Sequence, residues 1–238
     1  MKNPDPIIHD LEIMNNAKNY HRWFYSQFSK YIGQRIVEIG AGIGNEAHLL
    51  LDRNLVVSVD TSENCVEYMK RRFAGHSNIL PLKGDVTSKE ILGLRKYHPD
   101  TIICVNVLEH VKDDNLALSH MFELLGQNGK LILGVPAFQF LFGSIDRVVG
   151  HRRRYNKNAL REKLADAGFK VLDIFYMNSI SLFGWFLNNR ILKLNAESLM
   201  QVKLFDTFVV PWLSVVERAV RPPFGLSIVA IAEKEVSM

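Results

Sequence analysis

VEIGAGIGN, residues 37–45, sets Gly40, Gly42 and Gly44 within five positions directly behind an apolar run. Glycine weakens a strand or helix interior, but it lets another group approach the main chain closely. Something therefore needs bare backbone at the point where RIVEIG (35–40) stops reading as a strand.

Outward from that loop the chain alternates short apolar runs with helical stretches. A helix over Asn45–Arg53 leads to strand LVVSVD (55–60), and a helix over Glu63–Phe73 leads to strand ILPLKGD (79–85). DTIICVNVL (100–108) reads as strand four, and the helix in DDNLALSHMFELLGQNG (113–129) leads to KLILGVPA (130–137), strand five. Strands apolar throughout and separated by helices belong to a parallel sheet covered on both faces. After a helix in NKNALREKLADAGF (156–169), KVLDIFYMN (170–178) and LSIVAIAEK (226–234) are strand-like, with 179–224 between them rich in Phe, Leu and Trp. The reading is an α/β, Rossmann-like, seven-stranded and mostly parallel sheet with an antiparallel last strand and a helical insertion between strands six and seven. Ahead of it, residues 1–34 read as a cap containing the amphipathic helix NNAKNYHRWFYSQFSKYIG (15–33), laid over the strand ends.

Composition sets the outer limits. A 238-residue chain with 47% apolar content suits one domain, 1–238. Cys65 and Cys104 lack metal-type spacing and read as reduced, buried thiols of a cytoplasmic protein. The N-terminus has no apolar core of a signal peptide, and no apolar run reaches the 18 residues of a membrane span. A net charge of +4 is too mild to argue for nucleic acid.

Sheets of this kind bind ligands beyond the carboxyl ends of their strands. The loop spacing is GxGxG followed by Asn45, without the last glycine of a dinucleotide GxGxxG, which argues against a nicotinamide dehydrogenase. Asp60 ends strand two, where a carboxylate can accept ribose hydroxyls, and Gly84–Asp85 ends strand three, where one can meet an adenine amine. Singly, each aspartate reads as a cap or turn residue; in order at the ends of strands one, two and three, the set is specific. Glu38, inside strand one, is an acid in need of a partner.

VEIGAGIGN, VVSVDTSE, KGDV, TIICVNVLEHV and LLGQNGKLILGVPA together resemble the ordered motifs of class I S-adenosylmethionine-dependent methyltransferases, over roughly residues 16–178. The resemblance implies that Gly40, Ala41, Gly42, Gly44 and Asn45 hold the methionine and ribose and that Asp60, with Thr61 and Ser62, holds the ribose hydroxyls. Gly84, Asp85 and Val86 would face the adenine, and Asn106, Val107 and Leu108 would lie near the sulfonium. Tyr20 and Trp23 either close over the methionine end or simply pack their helix.

The acceptor is less legible. Asn106 to Val111, NVLEHV, lacks the [DNS]PP[FYW] turn of amino-methylating nucleic-acid enzymes and is similar to small-molecule, quinone-precursor O-methylating enzymes. Some relatives hold a divalent cation with Glu-x-x-Glu-His; here Asn106 takes the first place, and Glu109 with His110 alone make no metal site, so none is expected. His110 reads either as a hydrogen-bonded strand-end residue or as a general base, with His151 the other candidate. In FGSIDRVVGHRRRYNKNAL (142–160), Arg147, Arg152, Arg153 and Arg154 with Tyr155 form a basic block whose expected use is to hold an anionic group of the acceptor.

The insertion 179–224 is too interrupted to span a bilayer and too apolar for a surface loop. It reads as a lid over a greasy substrate, a dimer face or a peripheral membrane contact, with part of it completing the core. The expectation is methyl transfer, at oxygen, to a small or lipid-linked acceptor. The rival is a non-catalytic module that uses the insertion as a partner face.

Overall fold

The computed structural model describes residues 6–193 and 199–235. Seven strands, β1 (Arg35–Ile39), β2 (Leu55–Asp60), β3 (Ile79–Lys83), β4 (Thr101–Val105), β5 (Lys130–Pro136), β6 (Phe169–Met177) and β7 (Ser227–Lys234), form one sheet in the order β3-β2-β1-β4-β5-β7-β6. The first five pair in parallel, and β7 runs antiparallel between β5 and β6. This is the Rossmann-like architecture anticipated from the alternation of apolar runs.

The strands are apolar throughout because successive side chains enter opposite layers, and both layers are covered. Val37, Val57, Ile102 and Leu131 point into one core, while Ile36, Val56, Ile103 and Ile132, one residue earlier or later, point into the other. On the second side the sheet is covered by α2 (Lys18–Ser26) and α3 (Glu63–Arg72), with Trp23, Phe24, Phe28, Val66 and Met69 in the shared core, and α1 (Pro6–Met14) precedes α2. On the first side lie α4 (Asp114–Leu124) and α6 (Lys157–Asp166), beyond the short α5 (Ser144–Val148). Polar side chains fix where α3, α4 and α6 begin: Ser62 accepts from Cys65 N, Asp113 from Leu116 N and Asn156 from Ala159 N.

The local reading differs from the structure at several points. The expected helix over Asn45–Arg53 is turns and a 3-10 segment, Ala47–Leu50. Tertiary bonds hold its start, with Asn45 Nδ2 donating to Leu11 O and Glu46 paired with His21. Strand four stops at Val105 because the chain turns at Asn106, whose φ is 54°. The helix expected over 15–33 is α2 and a 3-10 turn, and α1 precedes it. The insertion is helical as expected, and its described residues include α7 (Ser179–Phe186), a π turn (Leu187–Ile191), α8 (Leu199–Leu204), a second π turn (Phe205–Val209) and α9 (Val210–Ala219).

Candidate active site

The glycine loop follows β1 with Gly40, Gly42 and Gly44 at φ of 72°, 56° and 79°. In this left-handed region a side chain is strained, so the turn itself selects glycine. The space beside each glycine is taken by protein. A Cβ on Gly40 would lie 2.1 Å from Val107 Cγ2, one on Gly42 3.0 Å from Leu11 Cδ1, and one on Gly44 2.4 Å from Phe73 Cε2. The bare backbone thus serves close packing of α1, α3 and the turn after β4 as well as any ligand. Only Gly40 of the three faces the cleft next to it.

That cleft, about 530 Å³, opens at the carboxyl ends of β1 to β4. Gly40, Asp60, Thr61, Gly84, Asp85, Val86, Val107 and His110 line it, all of them singled out in the sequence. Ile39, Thr87, Val111, Lys112, Asp113 and Leu116 complete the wall. The apolar ones among these carried no local signal that set them apart from core positions. Asp60 Oδ2 accepts from Gly42 N at 2.8 Å and Oδ1 from Ser62 N at 2.8 Å, so the carboxylate is aimed by the loop and by the turn leading to α3. Each oxygen keeps a lone pair for a further donor. Asp85 Oδ1 accepts from Thr87 N and Oγ1, both at 2.8 Å.

The remaining expected cofactor residues stand behind the cleft or beside it. Glu38 is buried and accepts from Ser58 Oγ at 2.9 Å. Burial, then repulsion by Glu46, pushes its carboxyl up to about 8. Ala41 N donates to Val59 O, and Asn45 bonds Leu11 and Arg72. Tyr20 packs against Trp23 and Phe24 on α2. Asn106 N donates to Gly134 O, and Leu108 is buried in the core.

A second set of groups meets at one edge of the cleft. The ring centroids of His110 and His151 are 4.7 Å apart, although 41 positions separate them in the chain. His151 Nδ1 lies 2.7 Å from Asp146 Oδ1, and its Nε2 lies 3.7 Å from Glu109 Oε1. Asp146 is fully buried and also accepts from Arg154 Nε, Asn189 Nδ2 and Gly143 N. Burial opposes its ionisation, but the bonds from His151, Arg154 and Asn189 outweigh it and hold the carboxyl well below the usual range. Glu109 is the opposite case: it too is fully buried, and neither oxygen has a hydrogen-bond partner. Desolvation pushes it up to about 8, so its neutral form predominates at pH 7. Desolvation, then the neighbouring His151, holds His110 down to about 4. Glu109, His110 and His151 place ligand atoms within 4.8 Å of one another, a donor set able to hold a divalent cation. His151 is the third group that the adjacent pair Glu109–His110 lacked in the sequence.

The basic block is used differently from the sequence expectation. Arg154 is buried against Asp146 and over the Trp185 ring. Arg153 pairs with Asp114 at 2.9 Å and donates to Val111 O and Lys112 O. Tyr155 is buried with its hydroxyl on Asp114 and Leu108 O. These three are committed inside the protein because the acids around them, Asp146 and Asp114, would otherwise be buried uncompensated. Arg147 is exposed, and Arg152 is exposed with Nε on His110 O, so these two keep donors for an outside anion. Asp146 and Asn189 were missed as site residues, and Glu109 was weighed only as half of an incomplete cation pair. The only available signal was an acid or amide set within an apolar run.

The model of a methyltransferase domain matches residues 14–174, two thirds of the chain. The chain belongs to that family. It is an enzyme, a methyltransferase, and S-adenosylmethionine is its methyl donor. The cleft fits that donor, with a left-handed glycine turn on one side, Asp60 with spare lone pairs, and Asp85 at the far end. Among solved structures, a Haloferax volcanii methyltransferase in complex with the Trm112 methyltransferase activator is similar, with a TM-score of 0.65 at 15% identity, covering 98% of this chain and 95% of that one. A SAM-dependent methyltransferase from Archaeoglobus fulgidus gives a TM-score of 0.57 at 16% identity over 92% and 94%. In sequence, 136 residues are 29% identical to "Probable polyketide synthase 42" of Dictyostelium discoideum, which is 49% of this chain and 5% of that protein.

Proposed function

We propose that this methyltransferase acts on an oxygen of a small or lipid-linked acceptor, with His151 or His110 taking the acceptor's proton. The observation that carries the reading is the line Asp146–His151–Glu109. Asp146 accepts from Nδ1 of His151, which leaves Nε2 as the lone-pair nitrogen, 3.7 Å from Glu109 Oε1, on a ring set edge-on to His110 of the cleft wall. Bound S-adenosylmethionine supplies a methyl group already activated on a sulfonium, so the protein's task is alignment and removal of a proton. His151 or His110 would take the proton of the acceptor hydroxyl, and the donor held beside Gly40, Asp60 and Asp85 would supply the methyl group to that oxygen. Neutral Glu109 costs nothing electrostatically beside the imidazole. Arg147 and Arg152 are the arginines left for an anionic group on the acceptor.

The test follows labelled methyl transfer from S-adenosylmethionine into separated lipid and aqueous metabolite fractions, for the native protein and His151→Gln. Label in an O-methyl product, reduced about 10²- to 10⁴-fold by the substitution with donor affinity unchanged, is the expected result. Transfer to nitrogen or carbon, or full activity in His151→Gln and His110→Gln, sinks the reading. A second reading, an interaction module with no turnover, draws on the exposed apolar side chains of the insertion, among them Phe208 and Trp212. A stoichiometric protein partner and no label in either fraction would favour it.

A further inference from the structure

The insertion carries an apolar surface that the protein does not cover. Residues Leu199–Ala219 form one continuous 21-residue helix, long and apolar enough to cross a bilayer. Met200, Leu204, Phe208, Trp212 and Val216 recur at every fourth position along it, and all are exposed, Phe208 by 72% and Trp212 by 60%. Spacing of four drifts around an α-helix of about 3.6 residues per turn. The wider π turn at Phe205–Val209 takes up that drift and keeps the stripe on one side. The opposite stripe, Val202, Asp206, Val210, Leu213 and Glu217, is buried.

The charges on this insertion are sorted. Asp206 accepts from Asn19 N and Tyr20 N at 3.1 and 2.8 Å and so caps α2 from a distance of 186 residues. Glu217 accepts from Asn178 N, Ser179 N and Ser179 Oγ and so caps α7. Both acids are buried. Among the described residues of 179–224, every exposed charge is a cation: Arg190, Lys193, Lys203, Arg218 and Arg221. Within those described residues the apolar stripe is flanked by exposed cations alone, which is complementary to a bilayer surface that bears anionic headgroups. A second copy of the same cationic face would repel it.

We infer that this helix, with α7 and its π turn, lies on an anionic membrane surface. It lies on the bilayer and does not cross it, because Asp206, Glu217 and the apolar inner stripe hold one side against the protein, where lipid cannot surround the helix. Resting on the function proposed above, the arm also explains how a lipid-linked acceptor is reached. Asn189, in the π turn after α7, donates to Asp146 Oδ2 and Leu141 O and accepts from Ile145 N, all within 2.8 Å. The membrane-facing segment is thereby fastened to the residue that orients His151.

The full chain is mixed, without methyl donor, with vesicles of phosphatidylcholine alone or of phosphatidylcholine with phosphatidylglycerol, and floated on a density step. The native protein floats with the anionic vesicles and far less with the neutral ones. Lys203→Gln/Arg218→Gln lowers the anionic-vesicle affinity about 25-fold, roughly fivefold per cation lost. Phe208→Ser/Trp212→Ser, checked as folded by circular dichroism, lowers it at least about tenfold. Native protein that stays in solution with both vesicles overturns the inference, as does a dimer or a bound protein partner that only the Phe208/Trp212 variant loses. Calorimetry with S-adenosylmethionine on the same samples separates this failure from failure of the enzyme reading, because none of the four positions lines the cleft.

Discussion

Glu109→Gln isolates an acid buried without a partner. The wild-type carboxyl is held at about 8 in the folded protein against an ordinary value of 4.5. The folded state therefore keeps a proton that the unfolded chain releases between those two values. For a group raised in this way, the stabilising protonated form is fully present below the unfolded value and is lost as pH rises through the folded one. Glutamine keeps the shape, carries no charge and does not titrate. The stability gap between Glu109→Gln and wild type is thus small at pH 5 and grows to a ceiling of about 5 kcal/mol by pH 9, at ~1.36 kcal/mol per pH unit across the window. Glu38 shares the same upward shift, but it is present in both proteins and cancels from the difference. The assay is urea unfolding at pH 5, 7 and 9 in chelator, so that no divalent cation on Glu109, His110 and His151 contributes. A gap that is flat with pH, or that favours wild type at pH 9, would falsify the assignment of a neutral Glu109 and point to an ionised one paired with an imidazolium or a metal.

Three further outcomes follow from the same geometry. Asp60→Ala weakens S-adenosylmethionine binding by roughly 10- to 100-fold in calorimetry, as expected for loss of charge-assisted hydrogen bonds, and Asp60→Asn recovers part of it by still accepting from Gly42 N; equal affinity in all three proteins would remove Asp60 from the site. Gly40→Ala forces a side chain onto φ 72° and into Val107, which lies 2.1 Å from the new carbon. It lowers stability by about 1–3 kcal/mol, measured by thermal unfolding, and an unchanged Tm would contradict the tight turn. Arg154→Met leaves Asp146 buried without its cation and costs about 3–5 kcal/mol in chemical denaturation, whereas a side chain reserved for substrate would leave stability intact and weaken only acceptor binding.

The parallel sheet was legible because its cause is local. Strands buried on both faces must be apolar at every position, so RIVEIG, LVVSVD and TIICV stand out against amphipathic helices. The cofactor cleft was legible for a related reason: its polar groups are the last residues of successive strands, and sequence order places Gly40, Asp60 and Asp85 side by side once the strands are parallel. Helix Asn45–Arg53 was misread because the bonds that hold Asn45 and Glu46 come from α1 and α2.

By itself, then, the sequence determined the sheet, the polar groups gathered at its strand ends and the apolar excess of the insertion, all set by periodicity and by neighbours along the chain. Tertiary structure alone decided which charges are free. Arg153 and Arg154 look the same in sequence as Arg147 and Arg152, yet Asp114 and Asp146 have claimed the first two. Asp206 and Glu217 look like breaks in an apolar helix until α2 and α7 are found beginning on them. His151 meets His110 and Glu109 only through the fold. A buried charge must be compensated by whatever the fold brings near it, and that partner is fixed by distance in space, which spacing along the chain does not encode.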